Sequence, residues 1–308
     1  MVLVPVADAG VGQAAMRMVV TLIAASRDPA LPRFVAAVAA ALAIPAEPVW
    51  LAAETACDLF LDTDSPAAIA ATVRNVLGSA RIDVLVQPQH GRRKRLLVAD
   101  LESTVIENEM LDELAGLLGI GPLIAGITRR AMNGEIDFEA ALEARVGMLA
   151  GIDTAILDRA AGRIRPTAGA GTLVRTMRRH GAMTALATGG FAVFAEQVAA
   201  RLGFDRVIAN RLEIVANRVT GRVLPPIVTG AGKREALLTL AHGAGLSPAD
   251  ALAVGDGAND LAMLAAAGLG VAFRAKPGVA ATARWRLDHA DLSGLLYAQG
   301  YRMEEFAE

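Results

Sequence analysis

The spacing of apolar and polar positions changes character near residue 90. Residues 16–26, MRMVVTLIAAS, form an extended apolar run, and RFVAAVAAALAI, which follows Pro32, has the apolar spacing of a helix. PVWLAAETACDLFLD reads as extended again, with room for one or two strands. SPAAIAATVRNVLGSA places Ser65 at an N-cap and Pro66 at the first helical position, where a missing N–H costs nothing. RIDVLVQPQ then closes as a strand. The order βαββαβ predicts a ferredoxin-like α+β module over residues 1–90.

From there to residue 308 short apolar strands alternate with longer helical segments, the pattern of an α/β protein with a mostly parallel sheet. The candidate strands are RLLVAD, AMTALAT, RVIAN, ALAVGD and GLGVAF. Between the first two lies an insert, residues 107–166, with helical period in ENEMLDELAGLLG, GPLIAGITRRAMNG, DFEAALEARVGMLAG and DTAILDRAAGR. A Rossmann-like parallel sheet core over residues 91–308, carrying an all-helical cap, is the expectation. The junction HGRRKR, residues 90–95, is a run of cations. In a chain of balanced charge such a run reads as a solvated inter-domain linker rather than an anion-binding patch.

Composition narrows the classes. The chain has 308 residues, 54% of them hydrophobic, which is ample for packed cores, and a formal charge of -2, which gives no global field for nucleic acid or an anionic membrane. Its one cysteine, Cys57, excludes an intramolecular disulfide and a thiolate metal cage, and reads as a small core residue. The start, MVLVPVADAGVGQ, lacks the basic region of a signal peptide, and the longest apolar run, residues 34–44, is too short to span a bilayer. A cytoplasmic protein with a small-molecule substrate, and neither nucleic acid nor membrane as partner, is expected.

Three of the predicted strands end in chemistry-bearing residues: VAD-LEST, ALA-TGGF and AVG-DGAND. In a parallel sheet those ends share one edge, so Asp100, Thr188 and Asp256 converge although remote in sequence. Gly189 and Gly190 let the backbone approach a ligand, and a helix opened by GGFAVFAEQVAA would turn free N–H groups toward a phosphate. Asp100 and Asp256 are hard oxygen donors suited to Mg²⁺, while Asn259 and Asp260 follow within one turn and can hold the metal's waters or orient Asp256. Lys233 in GAGKREALL adds a compact positive charge. Either carboxylate alone would read as a strand cap; their company is what points to chemistry.

The set DLEST, TGGF, GKREALL and GDGANDLAML, in that order with a helical insert after the first, resembles the haloacid dehalogenase superfamily and, within it, the phosphoserine phosphatases. The likeness covers residues 94 to about 290. It implies that Asp100 is a nucleophile, phosphorylated and then hydrolysed, and that Mg²⁺ is held by Asp100, Asp256 and the main-chain carbonyl of Glu102. It also implies a phosphate cradle of Thr188, Gly189, Gly190, Lys233 and Asn259. Glu102 stands where the family has an aspartate acting as general acid and base. Its extra methylene is a displacement on the order of 1 Å, enough to cost roughly 10²-fold in rate, so Glu102→Asp is expected to be tolerated or faster.

By the same resemblance Glu109 meets the substrate amine, Arg145 its carboxylate, and Met132 and Phe138 line the pocket, although the last two would serve equally as core residues. Asp112 and Glu113 read as solvated helix positions, and His242 and His289 as surface or satisfied core histidines. The implied reaction is Mg²⁺-dependent hydrolysis of O-phosphoserine to serine and phosphate through an aspartyl phosphate, the last step of serine biosynthesis. Two alternatives remain. One is a different small phosphomonoester or an alcohol acceptor; the other is a catalytically impaired amino-acid sensor using the first module, which resembles the regulatory ACT domain. That module otherwise serves dimerisation or packing.

Overall fold

The structure, a computed structural model, describes residues 16–132 and 135–308; the N-terminal stretch read above for a signal peptide and the Met132 side chain lie outside it. Strands β1 (Met16–Ala24), β2 (Val49–Ala52), β3 (Ala56–Thr63) and β4 (Ile82–Pro88) form an antiparallel sheet in the order β2-β3-β1-β4. Helices α1 (Leu31–Ala41) and α2 (Pro66–Leu77) fill the two crossovers, which makes the arrangement ferredoxin-like. Ser65 sits at the N-cap of α2, but its side chain makes no capping bond. Met18, Val20 and Leu22 of β1 pack with Val35 and Val38 of α1, whereas Ile23 and Leu85 join the apolar cluster of the larger sheet. Both faces of this sheet are covered, which is why β1 reads as a continuous apolar run rather than an alternation.

The junction differs from the sequence expectation. HGRRKR is not a solvated linker, because Arg92 and Lys94 are both buried. The Arg92 guanidinium donates to Asp58 Oδ2 at 2.6 Å and Oδ1 at 3.1 Å, and also to the carbonyls of Tyr297 and Ala298. Lys94 donates to the carbonyls of Gly91 and Ala249, and Arg93 pairs with Glu305. A charge run looks solvated when its counter-ion and carbonyl acceptors are contributed by segments far away along the chain.

The larger sheet contains β5 (Leu96–Ala99), β6 (Met183–Phe191), β7 (Arg206–Val215), β8 (Arg218–Leu224), β9 (Ala251–Gly255), β10 (Leu269–Phe273) and β11 (Trp285–Leu287), in the order β11-β10-β9-β5-β6-β7-β8. All neighbours are parallel except the β7–β8 hairpin. Strands β8 and β11 went unread in the sequence: β8 has three apolar residues in seven, of which only Val219 is buried, and β11 is three residues long. The first sheet docks on the β11 edge. Trp285 Nε1 donates to the Val86 carbonyl at 2.9 Å, and buried Asp83 accepts the N–H groups of Asp288, His289 and Ala290.

Between β5 and β6 come α3 (Met110–Leu118), α4 (Gly121–Met132), α5 (Phe138–Gly147), α6 (Thr154–Ala161) and α7 (Ala170–Arg179). The first four form the helical insert, and α7 returns the chain to the sheet. Outgoing and returning strands are stitched together, since Glu107 N–H donates to the Arg165 carbonyl and Thr167 N–H to that of Val105. Buried Asn108 ties the same crossing, bonding to Glu113, to the Arg163 carbonyl and to the Arg165 N–H. Glu113 is therefore half-buried and engaged rather than simply solvated. The β7–β8 hairpin supports the insert from the other side, where Arg218 reaches the Gly151 carbonyl and Gly151 N–H reaches Val219. The remaining helices are α8 (Ala192–Leu202), α9 (Gly230–Gly243), α10 (Leu261–Ala266), α11 (Pro277–Thr282) and α12 (Gly294–Ala298). Among the described residues no helix is long and apolar enough to cross a membrane.

Candidate active site

Asp100 and Asp256 follow the C-terminal ends of adjacent strands β5 and β9, and the Asp100 N–H donates to the Val254 carbonyl at 2.9 Å. One carboxylate oxygen each from Asp100, Asp256 and Asp260 lies within 4.8 Å of the other two. Lys233, in the first turn of α9, is 1% exposed and bridges two of them, 2.6 Å from Asp100 and 2.7 Å from Asp260. Asp260 also accepts the Gly257 N–H at 3.0 Å, which fixes the turn after β9. Gly255 has to be glycine for this packing, because a Cβ there would run into the Asp260 side chain.

Burial works against charge at each of these groups. It drives Asp100 above the ordinary carboxylate range, with Lys233 opposing and Asp260 adding to the rise. Burial also raises Asp256, where Lys276 opposes it. For Lys233, burial favours losing the proton, but Asp100 and Asp260 together outweigh it and hold the ammonium above its ordinary value.

A cavity of about 180 Å³ opens beside the cluster. From the core side Asp100, Thr188, Gly189, Gly190, Asp256 and Asn259 line it; from the insert come Glu109, Phe138 and Arg145, with Glu102 between. Lys233 does not line the cavity but is bonded to Asp100, which does. Thr188 Oγ1 accepts the Gly190 N–H at 2.9 Å, so that N–H is turned inward and the hydroxyl proton is left to donate. Helix α8 begins at Ala192 with Phe191 as its N-cap, later than the glycines suggested, because Gly189 and Gly190 still belong to β6.

Glu102 lines the same cavity but is not a member of the three-aspartate cluster. Its Oε1 accepts the N–H of Met110 at 2.8 Å, and burial, reinforced by Glu109 and opposed by that N–H, pushes its carboxyl up to about 8. Glu109 is the N-cap residue of α3 and accepts the Ser103 hydroxyl at 2.7 Å. Half-buried Arg145 bonds the Ala141 carbonyl at 3.0 Å. Burial lowers its pKa while Glu102, Asp112 and Glu109 resist the fall, so the guanidinium faces a group of carboxylates. Phe138 packs over Gly189.

Two participants, Lys276 and Asn210, are absent from the residues that the sequence singles out, and a third has a larger part than expected. Asp260, expected in a supporting place, is a full member of the cluster, and the spacing in GDGAND is its signal. Lys276 lines the cavity and stands 4.0 Å from Asp256, with nothing in the sequence to single it out beyond the scarcity of lysine. Asn210, fully buried at the crossing of β7, donates to the Gly189 carbonyl at 2.8 Å and accepts the Val228 N–H at 2.7 Å. Its signal is an amide ending the run RVIAN.

A buried aspartate trio with one lysine, set on the C-terminal rim of a parallel sheet beneath a helical insert, is the arrangement expected of a haloacid dehalogenase-like hydrolase. A family model described as haloacid dehalogenase-like hydrolase matches residues 97–265, and the chain belongs to that family. A phosphoserine phosphatase of Streptomyces coelicolor is 43% identical over 224 residues, 73% of this chain and 55% of that protein. The chain thus spans little more than half the length of that relative. A haloacid dehalogenase family hydrolase from Salmonella enterica serovar Typhi superposes with a TM-score of 0.83 at 30% identity, over 92% of this chain and 98% of the other. The phospho-aspartyl intermediate analogue of a phosphoserine phosphatase superposes with a TM-score of 0.62 at 35% identity, over 67% of this chain and 98% of that one.

Proposed function

We propose that this chain hydrolyses O-phosphoserine to serine and inorganic phosphate through a phosphoryl group carried on Asp100, with Mg²⁺ as cofactor. The observation that carries the reading is the convergence of Asp100, Asp256, Asp260 and Lys233 beside a cavity lined by Asp100, Asp256, Glu109 and Arg145. The donor set fits a hard divalent cation: three buried carboxylates share one buried ammonium, Lys233, with the exposed Lys276 4.0 Å from Asp256, and carboxylate oxygens so grouped are the donors that Mg²⁺ takes. Asp100, Asp256 and the main-chain carbonyl of Glu102 would hold the ion, with Asp260 keeping Asp256 and Lys233 in place. Bound there, it neutralises charge on the phosphoryl oxygens and orients the group.

In the first step an oxygen of Asp100 bonds to phosphorus as the bond from phosphorus to the serine oxygen breaks. Lys233 favours the ionised form of Asp100 and holds it in position, and Thr188 donates its hydroxyl to a phosphoryl oxygen. Glu102, held protonated by its buried setting, passes its proton to the departing serine oxygen, which is a poor leaving group as an alkoxide. In the second step Glu102 takes a proton from water, whose oxygen attacks phosphorus, releasing phosphate and restoring the Asp100 carboxylate. Glu109 and Arg145, one anionic and one cationic in the same cavity, suit the two ends of a zwitterionic amino acid.

The test is phosphate release from phosphoserine, phosphoethanolamine and phosphoglycolate with Mg²⁺. The zwitterion should be preferred, and Asp100→Asn should abolish turnover of all three. Arg145→Met should raise KM for phosphoserine by about 10- to 150-fold, the loss of a charge-assisted hydrogen bond, and leave phosphoethanolamine unaffected. Equal use of the three substrates would refute the assignment to phosphoserine.

A further inference from the structure

Glu102 is one methylene longer than the aspartate the family resemblance leads one to expect, and that length spans the gap between core and cap. Its Oε1 accepts the N–H of Met110, the first residue of α3, at 2.8 Å. Met110 is fully buried, so this N–H has no water to turn to. The N-cap residue, Glu109, makes no side-chain capping bond; its carboxylate is occupied by the Ser103 hydroxyl at 2.7 Å. Ser103 adopts the left-handed region, φ 55°, which aims its side chain from the catalytic loop toward the cap. Both side-chain ties from residues 100–104 to the start of α3 therefore come from neighbouring residues of that loop.

On its other side the Glu102 carboxyl is braced by the core. A Cβ at Gly190 would stand 2.8 Å from Glu102 Oε2 and 3.2 Å from Thr188 Oγ1, so the absence of a side chain there makes room for the longer acid. An aspartate would stop about 1.5 Å short, one carbon–carbon bond, and leave the Met110 N–H unpaired.

We propose that Glu102 is a positioning residue for the cap as well as the acid–base group: its carboxyl supplies the missing N-cap of α3 and holds the insert, with Glu109 and Arg145, against the catalytic loop. The proposal adds to the functional reading of Glu102, and the capping contact stands apart from it. It also revises the expectation that Glu102→Asp is neutral or beneficial.

Two substitutions separate the roles. Glu102→Gln keeps an oxygen that accepts the Met110 N–H but cannot transfer a proton, whereas Glu102→Asp keeps the acid and loses the reach. Amide hydrogen exchange of the full chain, read on peptides spanning residues 106–118, should be unchanged in Glu102→Gln and faster by about 5- to 150-fold in Glu102→Asp. Turnover should fall on the order of 10²-fold or more in Glu102→Gln, and KM for phosphoserine should rise in Glu102→Asp. Gly190→Ala should speed the same exchange in the native background and add nothing in the Glu102→Asp background. Exchange in Glu102→Asp equal to that of the unmodified chain would overturn the capping role. Undiminished turnover in Glu102→Gln would instead overturn the acid–base reading and leave the cap contact standing.

Discussion

Replacing Arg92 with methionine tests whether the cationic junction is a surface feature or part of the interior. The guanidinium and its partner Asp58 are 9% and 3% exposed. The pair is bidentate, and Arg92 also bonds Thr21 Oγ1 at 3.0 Å and two carbonyls at the end of α12. Methionine fills similar volume but strands the Asp58 carboxylate with only the Thr21 hydroxyl, 2.7 Å away, as donor. Removing one partner of a buried pair costs about 3–5 kcal/mol, which at about 2–4 °C per kcal/mol lowers Tm by roughly 6–20 °C. Urea and thermal unfolding followed by circular dichroism measure both quantities. Arg93→Met is the control, since its pair with Glu305 is half exposed and should contribute under about 1 kcal/mol. The double substitution Asp58→Leu with Arg92→Met removes both charges and should recover most of the loss. A shift within about 0.5 kcal/mol for Arg92→Met, the size of an ordinary surface change, would refute the reasoning, and so would a double variant as unstable as the single.

Two further outcomes follow from the same geometry. Asp260→Asn keeps an acceptor for the Gly257 N–H but removes a charge from the aspartate trio. Mg²⁺ affinity, measured by calorimetric titration, should fall about 10- to 100-fold, and an unchanged isotherm would remove Asp260 from the metal's surroundings. Cys57 is fully buried, and burial, with Asp58 adjacent, pushes its thiol from an ordinary 9.0 to about 12. The native thiol therefore keeps its proton at pH 9–11 while the unfolded chain ionises, so native stability declines as pH rises through that window. Iodoacetamide at pH 9, followed by mass spectrometry, should label the unfolded chain roughly a thousandfold faster or more; rapid labelling under native conditions would contradict this burial.

How much of this was written along the chain depends on whether a feature is local. The helical insert was legible in part because α3 buries Met110, Leu114 and Ala115 along one stripe and α6 buries Leu157 and Ala160, spacing that a 3.6-residue period records directly. The parallel strands were legible because β5, β9 and β10 are covered on both faces and so read as unbroken apolar runs. Strand-end carboxylates could be paired from the sequence, since parallel strands bring their C-terminal ends to one edge whatever the loop lengths. The β7–β8 hairpin lacked such a signature: its exposed residues alternate only weakly, and its purpose is to brace an insert some 60 residues earlier in sequence.

Sequence by itself determined the order of most elements, β8 and β11 excepted, the family and the residue types gathered at the site, because periodicity and motif spacing are properties of neighbouring positions. Tertiary structure alone decided that Arg92 and Lys94 are interior, that Asp260 completes the carboxylate cluster, and that Glu102 reaches the N-terminus of α3. Each of these depends on which acceptor, donor or counter-charge arrives from elsewhere in the chain. Hydrogen bonds and ion pairs act across a few ångströms, and residue number carries little information about that distance.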